Sequence, residues 1–171
     1  MFTKTDIEKY FIAEKSQCLV FVCIGIAAVI LSIVFFFFLK TNFYKGIALP
    51  LFLIAILQIS VGYTVYKRSD GDRQRNTYAY DMNPAQLKNK EIPRMEKVLK
   101  NFVLYRWIEI TLIIAAAILI FLYRSNPDKS FLYGLGIGLA IQAIIILGAD
   151  SFADARAKIY TNGLKEFKQK I

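Results

Sequence analysis

A chain of 171 residues that is 56% hydrophobic, 15% aromatic and only 20% charged, with a mean hydropathy of +0.43, is far more apolar than soluble domains, which stay near 45–50%. Its charges fall in bands, so a soluble fold would have to bury four long apolar runs inside one small domain, and a membrane removes that difficulty. The net charge of +9 follows the same bands, which points to anionic lipid headgroups, worth about 1 kcal/mol per nearby Lys or Arg, rather than to nucleic acid.

In chain order, Thr5 and Glu8 have the spacing of a capping box, followed by Ile7, Tyr10 and Phe11 at helical intervals. This lead-in is expected to run straight into a first span over 18–39, the first of four stretches with the roughly 20 apolar residues that 30 Å of hydrocarbon requires. A cleaved signal peptide would need a shorter apolar core and a small-residue cleavage site. This run is too long, ends in Phe35–Phe38 and meets Lys40 without such a site. Cys18 and Cys23, five residues apart on one helix, lie too far apart for a disulfide.

The second span covers 46–66 and is followed by a linker over 67–102. There Ser69, Asp70, Gly71 and Asp72 form a turn signal and Asn83 and Pro84 a cap followed by proline, so one or two short helices on the membrane surface are expected. Pro93 suits a first helical position, and Met95, Val98, Leu99 and Phe102 recur at helical spacing before a third span over 103–123. That second lead-in is expected to project about 15 Å into the cytoplasm, at 1.5 Å per residue. A fourth span covers 131–149. Phe152, Ala155 and Ile159 then continue a helix to a stop at Thr161 to Gly163, and Leu164, Phe167 and Ile171 form a last amphipathic turn.

Backbone groups in lipid must be satisfied internally, so these runs are helices. The expected fold is an all-α integral membrane four-helix bundle of two transmembrane hairpins, one domain over 1–171, with cytoplasmic amphipathic helices and a C-terminal cytoplasmic helix over 151–171. Of the 22 Lys and Arg, 18 precede the first span, lie in the linker region up to Arg106, or follow the fourth span, Lys170 among them, and four lie in the two hairpin loops. The positive-inside rule then puts both termini and the linker in the cytoplasm, as in a bacterial inner membrane. Tyr63, Tyr66, Tyr105 and Trp107 mark the inner interface, and Phe43, Tyr44, Tyr123 and Tyr133 the outer one. Ile7 with Met95, and Gln58 with Gln142, hint at a parallel repeat of the two hairpins.

Polar side chains in or beside lipid are the candidate functional residues. Glu109 lies about two turns into the third span, one turn beyond Arg106; Asp150 ends the fourth, with Asp154 one turn later. A proton or cation pathway would use acids at such a depth. An interfacial network, with Arg106 paired to Glu109 and Asp150 paired to Arg68 or Arg106 near Arg156, is the favoured reading, because no second acid continues a relay at mid-membrane. Gln58 and Gln142 are expected to act chiefly as glue between helices. Gly134, Gly136 and Gly138 allow close helix approach, either within the bundle or at a homodimer face.

The chain has no histidine, hence no imidazole base and no usual zinc motif. Carboxylates near 109, 150 and 154 have Arg and Lys competing for them, so no metal and no cofactor is expected. Neither an enzyme motif nor a phosphate-cradling loop is present in the sequence. Two classes remain: an accessory, regulatory, assembly or immunity-type partner acting through helix packing and cytoplasmic contacts, which is favoured, and an oligomeric transporter or channel subunit for protons, cations or small solutes.

Overall fold

The computed structural model describes residues 2–168. The expectations that fall on Lys170 and Ile171 lie outside the described residues. Among those residues the chain is all-helical, with four helices long and apolar enough to cross a membrane. Helix α1 runs Lys4–Val34 and closes in a π-turn, Phe35–Leu39. Helix α2 is Asn42–Met82; α3 is Pro84–Tyr123, with a π-turn at Leu87–Glu91; α4 is Ser130–Lys168, entered through a 3-10 turn at Pro127–Lys129. At 1.5 Å per residue the 41 residues of α2 reach about 60 Å, twice the thickness of a hydrocarbon core.

The helix ends differ from the expected ones. The N-cap of α1 is Thr3, two residues before the expected box: its amide and hydroxyl both donate to Asp6 Oδ2 at 2.8 Å. Helix α2 passes through the turn signal at 69–72 without a break. Ser69 is 1% exposed and Asn76 1% exposed on its packed face, and Asp72 is held by Arg75 at 2.7 Å. Burial of that face outweighs the roughly 1 kcal/mol a mid-helix glycine costs. Pro93 does not open a helix either. It follows the π-turn, where Ile92 N–H donates to Leu87 O, so the widened turn precedes the residue that has no N–H to give. The stop expected at Thr161 to Gly163 is likewise absent. Thr161 returns its hydroxyl to Ala157 O at 2.7 Å, and a Cβ on Gly163 would sit 2.4 Å from Phe2 Cδ2.

Each long helix contributes to two compact units. The first comprises Met1–Leu19, Tyr63–Tyr105 and Asp150–Ile171; the second comprises Val20–Gly62 and Arg106–Ala149. In the first unit, the apolar faces of the two lead-ins and of the end of α4 close on one another. Ile7, Phe11, Met95 and Leu164 are each at most 1% exposed, and burying such a side chain is worth about 1.5–3 kcal/mol. The rings of Tyr10 and Tyr160 stack at 4.1 Å, and those of Tyr80 and Phe167 at 4.6 Å.

In the second unit α2 and α4 run parallel in constant register. Phe43 meets Gly134, Ile47 meets Gly138, and Leu51 meets Gln142, each pair 91 residues apart. Helix α1 runs antiparallel to α2, with Gly25 against Ala55 and Ser32 donating to Ala48 O at 2.9 Å. Between α1 and α2, Lys40 takes a left-handed φ of 56°, and the Thr41 hydroxyl accepts from Tyr44 N–H at 3.4 Å.

Candidate functional site

In the second unit Gln58 and Gln142, the glutamines expected at mid-span, both donate to a neighbouring backbone. Gln58, 3% exposed, gives its amide to Phe21 O at 3.0 Å, and Gln142, 1% exposed, gives its amide to Leu51 O at 3.4 Å. One reaches α1 and the other α2, so the pair is not equivalent in the way a simple repeat implies. Glu109 is buried beside Arg106 in the same segment of α3. The glycines are used within the chain. A Cβ would lie 2.1 Å from Phe43 O at Gly134 and 2.6 Å from Ile47 O at Gly138, while Gly136 faces α3 at Ile120 and Leu119, 3.0 Å away. This face of α4 is therefore closed by its own bundle and is not open to a second copy.

In the first unit a buried ionic network gathers residues that sequence reasoning passed over. Glu91, 2% exposed at the end of the π-turn, takes a two-pronged contact from Arg94: Nε to Oε2 at 2.8 Å and an Nη to Oε1 at 2.6 Å. The Tyr160 hydroxyl donates to the same Oε1 at 3.3 Å. Glu14, 7% exposed, accepts from the Tyr10 hydroxyl at 3.2 Å, with Arg68 at 3.9 Å. The Ser69 hydroxyl lies 2.9 Å from Glu14 and 2.8 Å from Val65 O; with one proton it serves one of them at a time. Arg94 lies 5.7 Å over the Phe11 ring and Arg156 5.9 Å over that of Tyr10.

Of the other sequence candidates, Arg68 reaches Glu14 and Asp72, the latter at 3.7 Å. Arg156 donates to Gln17, Asp154 holds Lys158 at 2.8 Å, and Asp150 is half-buried. The missed carboxylates carried a legible signal. Glu14 stands seven residues after Ile7 and Glu91 four before Met95, so each sits on the apolar face of a lead-in helix, where a solvated acid does not belong.

Burial, and then the negative charge of Glu14 beside Tyr10 and of Glu91 beside Tyr160, holds both phenols above their ordinary value of 10.0. Both groups therefore contribute stability below pH 10, and that stability is lost as pH rises and the unfolded chain ionises first. In an alkaline titration followed by tyrosinate absorbance, Tyr10 and Tyr160 should ionise in a late phase, only as the core opens. Tyr10→Phe with Tyr160→Phe should remove the late phase. Absence of a late phase from the unsubstituted chain would contradict this.

The network ties α1 to α2 and α3 to α4 within the first unit. A shallow groove of about 150 Å³ in the same unit, lined by Pro84, Leu87, Lys88, Ile92 and Phe167 among others, is smaller than the 300–1,000 Å³ of small-molecule sites. Among the described residues, no three of His, Cys, Asp and Glu gather as a metal site would require. Comparison of the chain with protein-family models, with curated proteins and with solved structures finds no match.

Proposed function

We propose that the protein is a non-enzymatic integral membrane protein that serves as an accessory, regulatory, assembly or immunity-type partner of another membrane protein. In this reading four helices cross a bacterial inner membrane, with both termini and the residues of the first unit on the cytoplasmic side. The exposed aromatics Tyr63, Tyr105 and Trp107 then lie at headgroup level. The single observation that carries the partner role is where the span polarity goes. Ser32, Gln58 and Gln142 all donate to backbone carbonyls of neighbouring helices, so these polar groups hold helices together and line no path.

The test is native co-purification in a mild detergent with the mass of the intact complex read directly. A foreign subunit in constant ratio is expected. Copies of this chain alone, together with solute flux in liposomes that Glu109→Gln abolishes while the protein still folds, would overturn the reading. That outcome would establish the oligomeric transporter or channel instead. One observation favours this second reading: Gln58 Oε1 and Gln142 Oε1 are buried acceptors without a hydrogen bond.

A further inference from the structure

We propose that the face of α3 carrying Lys90, Lys97 and Lys100 is the docking surface for an acidic helix of the partner membrane protein. The inference rests on the partner reading above and deepens it by naming the surface and the partner's chemistry. Within the first unit, Lys90, Pro93, Lys97, Lys100 and Leu104 follow one another at alternating intervals of three and four, which places them in one row along the helix, and all five are exposed. The other side of the same segment is the packed one: Leu87, Glu91 and Met95 are buried.

The balance of charge distinguishes this row from an ordinary solvated face. Elsewhere the unit matches its cations at home: Lys15 with Asp70, Arg75 with Asp72 at 2.7 Å, and Lys158 with Asp154 and Lys165 with Glu96 at 2.8 Å. Lys9, Lys67 and Lys88 hold no ion pair among the described residues, but each has an acid three residues away on its own helix, Asp6, Asp70 and Glu91. Lys90 and Lys97 have none: the positions three and four residues from them are Gln86, Leu87, Pro93, Arg94, Lys100 and Asn101. Glu96 stands one turn before Lys100 but is turned to Lys165. Lys97 and Lys100 are moreover like charges one turn apart, an arrangement that destabilises a helix. The row thus carries three positive charges that its own unit leaves unmatched, and a ligand of opposite sign relieves their repulsion.

Reach decides between lipid and protein as the occupant. In the membrane reading the third span begins at 103, so at 1.5 Å per residue Lys100, Lys97 and Lys90 stand about 5, 9 and 20 Å before it, distances that the ordinary tilt near 20° hardly shortens. The headgroup layer adds about 5–7 Å to each side of the hydrocarbon, enough for Lys100 and not for Lys90. An acidic helix leaving the bilayer beside α3 reaches all three. It passes Leu104, 56% exposed, with an apolar residue and then presents carboxylates at intervals of three and seven to Lys100, Lys97 and Lys90, as flanking charges select partners in paired helices. Acids so close to the negative cytoplasmic leaflet are repelled by it, so a helix that carries them there is favoured beside this row over other sites, a gain in specificity more than in bulk affinity.

The test titrates the full chain, in nanodiscs of phosphatidylcholine at near-physiological salt, with a fluorescent helical peptide whose three glutamates repeat the intervals of three and seven. Lys90→Gln with Lys97→Gln and Lys100→Gln should weaken binding about tenfold, equivalent to about 1.4 kcal/mol, and Lys9→Gln with Lys67→Gln and Lys88→Gln, the same change of charge away from the row, less than about twofold. Thermal midpoints check that both variants fold. Equal losses in the two variants, or equal affinity for a peptide of the same charge with its glutamates at adjacent positions, would overturn the docking surface. A difference between the variants that vanishes when phosphatidylserine is added to the nanodiscs would assign the lysines to headgroups instead. In native membranes the first variant should lose the foreign subunit as salt is raised while the second keeps it. An unchanged ratio would overturn the surface and leave the partner reading standing, whereas absence of a foreign subunit from the unsubstituted chain would overturn both.

Discussion

Replacing Glu91 by alanine is expected to destabilise the first unit by about 3–5 kcal/mol, the range seen when one partner of a buried ion pair is removed. The loss exceeds that of a surface pair, typically 0–1 kcal/mol, because the Glu91 carboxylate is 3% exposed and the Arg94 side chain 21%. Arg94 would keep a charge with no carboxylate in reach of its fork, and the Tyr160 hydroxyl would lose its acceptor. Thermal or denaturant unfolding in detergent reads the effect. The double variant Glu91→Ala with Arg94→Met should recover part of it, because the uncompensated charge is then gone. A double variant less stable than Glu91→Ala alone would show that Arg94 is satisfied by other groups. A loss under about 1 kcal/mol for the single variant would show that water reaches the pair.

The second large effect is expected at Gly134. Its Cβ position lies 2.1 Å from the carbonyl oxygen of Phe43 and 3.0 Å from the carbonyl carbon, and backbone on both sides leaves nothing flexible to yield. Overpacking a core costs about 1–3 kcal/mol when side chains can move. Gly134→Leu, which meets backbone, should reach the upper end of that range or prevent folding, and Gly134→Ala should already lower the midpoint. Folded yield and thermal midpoint check this against Gly148→Leu, whose Cβ meets nothing within the chain. Equal stability of the two leucine variants would contradict the α2–α4 contact.

The four helices were legible from composition: about 20 apolar residues in a row, long enough to cross a hydrocarbon core as a helix, leave few alternatives. The ends were not. Ser69 to Asp72 and Thr161 to Gly163 have the local chemistry of turns, but that chemistry is worth about a kilocalorie, and the burial of Ser69, Asn76, Thr161 and Leu164 against neighbours distant in sequence outweighs it. A single sequence shows the local preference and not the neighbour. The same limit hid the ionic network. Glu14 and Glu91 lie 77 residues apart, and only the meeting of α1, α3 and α4 in one unit brings Tyr10 against Tyr160 and each phenol onto a carboxylate. That Gln58 and Gln142 would bond between helices was readable because a side-chain amide amid long apolar helices has few other partners, although which carbonyl each reaches was not.

The constant 91-residue offset between α2 and α4 makes this part of the molecule behave like a ratchet with a fixed tooth spacing. Inserting one residue between Gly134 and Gly138 would rotate everything beyond it by about 100°, swinging Gly138 and Gln142 away from Ile47 and Leu51 together. An insertion of a whole turn would bring some of the contacts back. Length changes in these two segments are thus constrained to near-multiples of a helical turn, whereas the hairpin between Tyr123 and Pro127 is free of that condition. Diversity in length should collect in the turns, and diversity in side-chain identity on the outward faces.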